Sequence, residues 1–127
     1  MAVRLVASKP RRLVVLLLCE DGTLRIYRNR RWHAGYLRAE LDAHGASSLA
    51  VMRLGDGREA AVTGGPDGRL CLWDFTAALS QKNVSQEDLA CLLEIEVEAS
   101  ITNVAVSGDQ SVVVSTLNGL AAFRIDA

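Results

Sequence analysis

Apolar residues recur at every second position in several short stretches of the chain. After Asp21-Gly22 come Leu24 and Ile26, after Asp67-Gly68 come Leu70 and Leu72, and after Asn118-Gly119 come Leu120 and Ala122. A period of two marks β-strands. An apolar run precedes each turn, as in "LVVLLLCEDGTLRIYR", "TGGPDGRLCLWDF" and "SVVVSTLNGLAAFRID". Asp-Gly and Asn-Gly suit two-residue hairpin loops, whose central positions both need positive φ. The pattern therefore predicts three hairpins, in units near residues 13–28, 35–75 and 91–126. Tyr27 and Trp73 each sit five positions past their glycine, whereas Phe123 sits four past its own.

Further strand-like runs lead into these hairpins. "GYLRAEL" and "SLAVMRL" lead into the second, "CLLEIEVEA" and "ITNVAVS" into the third, and "VRLVAS" (3–8) reads as a short strand before the first. About four short strands thus recur every 45–50 residues, the period of propeller blades. "TAALSQKNVSQEDLA" (76–90) interrupts the pattern, and Ser85-x-x-Asp88 resembles a helix start. It reads as a loop with one helical turn. The expected fold is all-β: about two and a half four-stranded blades of an incomplete β-propeller, with residues 1–127 as one partial segment.

The middle unit resembles the WD-repeat family. "AHG" (43–45) stands where that family has Gly-His, and Trp73-Asp74 follows His44 by 29 residues. The resemblance implies a buried structural hydrogen-bond network of His44, Thr63, Asp67 and Trp73. The chemistry suits it, since an indole N–H donates, a hydroxyl both donates and accepts, and a carboxylate accepts. Ala43 departs from the family glycine, the first unit has Tyr27 in place of Trp, and the third has Asn118 and Phe123 without Gly-His.

"LCEDGTLRIY", "DGRLCLWDFTAAL" and "LNGLAAFRI" resemble the C-terminal part of the WD-repeat accessory subunit of a tRNA ribose 2′-O-methyltransferase. The likeness covers roughly residues 13–125. It implies a non-catalytic scaffold whose partners are proteins, among them the catalytic methyltransferase subunit, and tRNA. A general protein-interaction scaffold is the alternative, and an enzyme ranks below both because no defensible nucleophile–base spacing is present. Two and a half blades leave apolar faces uncovered, so the remaining blades or another chain are needed for closure.

Charge adds one candidate surface. Residues 1–38 hold nine basic against two acidic residues, a net of +7, while residues 39–127 carry a net of −8. "RIYRNRRWHAGYLR" (25–38) interleaves aromatics with arginines. Arg25, Arg28, Arg30, Arg31 and Trp32 are candidate RNA or partner contacts, through phosphate forks and base stacking. The plainer reading, a solvated loop between blades, is preferred. "EIEVEA" (94–99) reads as a strand with one solvated acidic face rather than a carboxylate pair.

No metal or cofactor is expected. Two histidines without clustered partners do not make a zinc site, and neither "GDG" nor "TGGPDG" carries a phosphate-loop pattern. Cys19, Cys71 and Cys91 lie far apart and read as reduced, buried thiols of a cytoplasmic protein. "RRLVVLLLC" superficially resembles a signal core, but Glu20-Asp21 follow where small residues should permit cleavage. A buried strand fits better, and no stretch approaches the roughly 20 apolar residues that span a bilayer.

Overall fold

The structure, a computed structural model, describes residues 2–9, 12–19, 21, 23–30, 36–42, 45–76, 90–107 and 110–125, with side chains described for 15–19, 21, 23–27, 45–76, 91–107 and 110–125. Eleven strands are described: β1 (Ala2–Lys9), β2 (Arg12–Leu18), β3 (Thr23–Arg30), β4 (Tyr36–Asp42), β5 (Ser48–Arg53), β6 (Glu59–Gly64), β7 (Arg69–Asp74), β8 (Ala90–Glu96), β9 (Ile101–Val106), β10 (Ser111–Thr116) and β11 (Gly119–Arg124). They form three open antiparallel sheets: β1-β2-β3-β4, β5-β6-β7-β8 and β9-β10-β11, each strand paired with its chain neighbour. The fold is all-β. The interruption at 77–89 lies outside the described residues.

The sheet boundaries differ from the expected units. "GYLRAEL" does not join the second hairpin: β4 pairs with β3, Leu24 opposite Leu41. "CLLEIEVEA" likewise pairs back onto β7 as β8, Leu72 opposite Leu93. Each such strand satisfies its backbone on the hairpin already formed before it. The stretch expected as a short pre-strand is the full-length β1, with Val3 opposite Leu17 and Leu5 opposite Val15. The strand counts are therefore four, four and three.

The three sheets stack in chain order, and the middle one is covered on both faces. Leu49, Ala61, Cys71 and Trp73 pack with Leu16, Leu18, Leu24 and Ile26 of the first sheet. Ala50, Met52, Ala60, Val62, Leu70 and Leu72 pack with Ile101, Val104, Val112 and Val114 of the third. Strands buried on both faces lose their alternation and become continuous apolar runs. That is why β6 is buried from Ala60 to Gly64 and β7 from Leu70 to Trp73. The outer sheets keep their alternation. In β2, Leu16 and Leu18 are buried while Val15 and Leu17 are half-buried.

The third hairpin is inverted relative to expectation. Val112 and Val114 face inward, with Phe123 and Ala121 opposite them. Leu120 is 79% exposed, and Ala122 is exposed as well. A two-residue loop, Leu117-Asn118, starts β11 at Gly119 itself, opposite Thr116. With a period of two, a one-residue slip moves every side chain to the other face. The spacing of Phe123, four rather than five past its glycine, is the trace of that slip.

Candidate functional site

Asp67-Gly68 and Asn118-Gly119 do not fill two-residue hairpin loops as expected, and Gly22 of the first pair lies outside the described residues. Between β6 and β7 the turn is Gly65-Pro66-Asp67-Gly68, closed by the Gly68 N–H donating to the Gly65 carbonyl at 3.1 Å. Only Gly68 has positive φ, at 79°. Proline at the second position and glycine at the fourth define a type I turn, which needs no positive φ at Asp67. In the first hairpin, Asp21 accepts the Thr23 N–H at 3.0 Å and the Thr23 hydroxyl at 2.6 Å. Such Asx bonding is the local geometry that aspartate favours in turns. In the third hairpin the positive φ of 132° belongs to Gly119, which opens β11 rather than sitting inside the loop.

The turn at 63–68 is a junction between strands. The Gly64 carbonyl accepts the Ser47 N–H at 2.9 Å, Gly65 accepts the Ile101 N–H at 3.0 Å, and Gly68 accepts the Val97 N–H at 2.8 Å. The run before β5, the end of β8 and the start of β9 are thus tied to one glycine-rich segment. Side chains are excluded there for steric reasons. A Cβ on Gly64 would sit 2.8 Å from both Ile101 Cγ2 and Val104 Cγ2, and one on Gly68 would strike the Val97 carbonyl. The buried Ser48 hydroxyl donates to the Thr102 carbonyl at 3.2 Å, a second polar tie between the middle and third sheets.

Trp73 is 8% exposed, and its indole N–H donates to the Thr63 hydroxyl at 3.0 Å inside the core. Both residues lie on the face that packs against the first sheet. Asp67 is exposed, and its carboxylate accepts the Arg69 N–H at 3.0 Å. His44 lies outside the described residues. Asp74, after the tryptophan, accepts the Thr76 N–H at 2.9 Å, and the Thr76 hydroxyl accepts the Glu59 N–H at 2.9 Å. This pair of bonds fastens the end of β7 to the start of β6.

The described parts of the basic segment are strand rather than the loop that composition suggested. Arg25, Arg28 and Arg30 belong to β3, which runs to Arg30 with Arg12 opposite it and Tyr36 opposite Arg28. Ladder pairing, with β4 as far as Arg28 and with β2 as far as Arg30, holds β3 extended whatever its side chains. Arg25 forms an ion pair with Asp21 at 3.3 Å. The side chains of Arg28 and Arg30, and Arg31 and Trp32 altogether, lie outside the described residues.

Three other charged clusters went unread in the sequence. Arg58 holds Asp56 at 2.7 Å and approaches Asp74 at 3.8 Å, Arg53 holds Glu59 at 2.7 Å, and Arg69 holds Glu94 at 2.9 Å. "GDGRE" and "EIEVEA" carried the signal, but neither stretch shows its cross-strand partner. Glu94 and Glu96 are both exposed, so "EIEVEA" has a solvated acidic face. The Thr23 hydroxyl, then its N–H, lowers the pKa of Asp21, and the Arg58 N–H, then its guanidinium, lowers that of Asp56.

Burial pushes the Cys71 thiol up to about 12, with Cys91 and Glu94 nearby adding to the shift. Cys71 is buried and Cys19 half-buried, but Cys91 is exposed, contrary to the expectation of three buried thiols. It lies on β8, the outer strand of its sheet. Among the described residues, no group of three or more His, Cys, Asp or Glu side chains gathers to hold a metal, and no helix is long and apolar enough to cross a membrane.

The described geometry offers surfaces and ties between sheets rather than a set of converging reactive groups. Neither family models nor curated proteins match the chain.

Proposed function

We propose that the chain is a non-catalytic segment of a WD-type β-propeller, its three sheets acting as successive blades of an interaction scaffold. The middle sheet, buried on both faces by sheets that follow one another along the chain, is the observation that carries this reading. A blade is a sheet that covers its neighbour's apolar face, and a terminal blade has one face left to cover. On the first sheet that face carries Val15 and Leu17, both half-buried, and on the third it carries Val113, Leu120 and Ala122. Further blades or a partner protein would stack there.

The narrower form of the reading is an accessory subunit that supports tRNA ribose 2′-O-methylation. It rests on the resemblance of "LCEDGTLRIY", "DGRLCLWDFTAAL" and "LNGLAAFRI", and on the net basic charge of residues 1–38.

Sedimentation velocity of the purified chain tests the scaffold reading. Concentration-dependent association through the outer faces is expected. A monomer that unfolds cooperatively at every concentration would refute it. Binding to tRNA across a salt series tests the narrower form. Replacing Arg28, Arg30 and Arg31 together by Ala should flatten the salt slope by about two units, at roughly 0.7 per phosphate contact on single strands. Identical slopes would remove RNA from the proposal.

A further inference from the structure

The two edges of the middle sheet have different surroundings. At one edge β5 adjoins both β1 and β9, the end strands of the neighbouring sheets. At the other, β8 has no further strand beyond it among the described residues. It lies between β7 and β9 in the chain, so neither terminus decides this edge. The Val97 N–H donates inward to the Gly68 carbonyl at 2.8 Å. Bonding in an antiparallel ladder alternates, so Ile95 and Leu93 also bond inward, opposite Leu70 and Leu72. Glu94 and Glu96 therefore turn their backbone groups outward, each offering one donor and one acceptor. A register shift between Leu72 and Trp73 interrupts the ladder beyond Leu93.

The same stretch is acidic. Glu94, Glu96 and Glu98 are exposed, as is Asp67 in the adjoining turn. One cation stands among them: Arg69 pairs with Glu94 at 2.9 Å and approaches Asp67 at 3.9 Å. These five residues carry a net charge of −3. Glu94 lies opposite Cys71, and Glu96 opposite Arg69, so both glutamates stand on the side of the first sheet. Ile95 and Val97, between and beyond them, pack toward the third.

We propose that the β8 edge from Leu93 to Val97 is a docking site for an extended basic segment of a partner protein. The segment adds as a fifth, antiparallel strand, with Lys or Arg directly beside Glu94 and Glu96. The described ladders of this sheet are all antiparallel, and the new one continues them. In strand addition, main-chain hydrogen bonds give affinity and alternate side chains give specificity. Opposite charges directly across a strand pair attract, and like charges repel. The glutamates therefore choose the occupant. A second copy of β8, or any acidic segment, would set carboxylates against Glu94 and Glu96. Charge on an edge strand ordinarily wards off strand addition; here it repels this chain's own copies and admits a strand of the opposite sign. The site does not rest on the propeller reading, because an edge is occupied independently of what covers the outer sheet faces.

The test uses the full chain and a short fluorescent peptide that alternates valine with lysine. Saturable binding by anisotropy is expected, weakening as salt rises. Glu96→Lys changes an exposed position and should leave the circular dichroism melt in place. It should weaken binding about fivefold or more, since an attractive cross-strand pair becomes a repulsive one. Two modified peptides separate strand addition from plain charge attraction. N-methylation of the lysine amides keeps the charge but removes the donors that face β8, and should abolish saturable binding. N-methylation of the valine amides, on the open side of the added strand, should leave it in place. Absence of saturable binding, binding unchanged by Glu96→Lys, or equal binding of the two methylated peptides would overturn the proposal. So would a peptide with glutamate in place of lysine that binds as tightly. A wild-type dimer that the lysine peptide dissociates would also overturn it, because a second copy would then occupy the edge.

Discussion

Placing one methyl group at Gly64 tests how closely the middle and third sheets approach. A Cβ there would lie 2.8 Å from Ile101 Cγ2 and 2.8 Å from Val104 Cγ2. Comfortable carbon–carbon separations are about 3.5–4.0 Å, so β9 must retreat or Ile101 and Val104 must leave their rotamers. Overpacking of this kind costs about 1–3 kcal/mol. Against it stands the entropy that alanine saves relative to glycine in a strand, about 0.5–1 kcal/mol. Gly64→Ala should therefore destabilise by about 1–2 kcal/mol, in the direction opposite to its propensity. Val104→Ala opens the space, at its own cost of about 1–3 kcal/mol for two buried methyl groups. In the double variant the new methyl occupies part of that opening, so the loss should fall short of the sum by about 0.5 kcal/mol or more. Urea unfolding followed by circular dichroism, at one fixed protein concentration, measures all four forms. A Gly64→Ala variant at least as stable as wild type would refute the close approach, as would additivity of the two changes.

Three further outcomes are expected. Trp73→Ala should cost about 3–5 kcal/mol in the same assay, the range for a buried large aromatic, and a loss below about 1 kcal/mol would mean that the side chain is not core. With a disulfide reagent at pH 8, Cys91 should react promptly and Cys71 only on unfolding, because burial holds Cys71 as the neutral thiol; equal rates would contradict that placement. Asp21 and Asp56 have pKa values lowered by folding, so their contribution to stability is present above the unfolded carboxylate value and is lost as pH falls through the folded one. Carboxyl NMR titration should place both midpoints below those of the urea-unfolded chain, and Asp56→Asn should reduce the acid-side loss of stability; unshifted midpoints would remove the turn bonds from consideration.

Strands were legible because half-buried sheets write their faces into the sequence at a period of two, as at Leu24 and Ile26. Their grouping was not. Nothing in "GYLRAEL" or "CLLEIEVEA" marks whether the strand pairs with the hairpin before it or the one after, a choice made by backbone pairing. The inversion of Leu120 and Ala122 had a visible sign in the early Phe123, but its meaning depends on loop length, and Leu117-Asn118 does not announce a two-residue loop. Pro66 carried more information than Asp67-Gly68, since it fixes the second position of a four-residue turn. Of the candidate site, the Trp73–Thr63 bond could be read by resemblance. The junction at Gly64, Gly65 and Gly68 could not, because its bonds to Ser47, Ile101 and Val97 join residues far apart in the chain. The arginines of β3 misled as a loop because charge records solvent preference, whereas strand length records the partners on either side.

The serial stacking of the sheets also shapes how the molecule comes apart. Among the described residues, one core cluster joins the first sheet to the second and the other joins the second to the third. Stability then approximates a chain of nearest-neighbour terms, in which an end sheet is held by one interface and the middle sheet by two. Local opening should start at the ends, with β11 and β4 exchanging amide protons through fraying events of low free energy. Amides of β6 and the inner part of β7 should exchange last, through openings that break both interfaces at once.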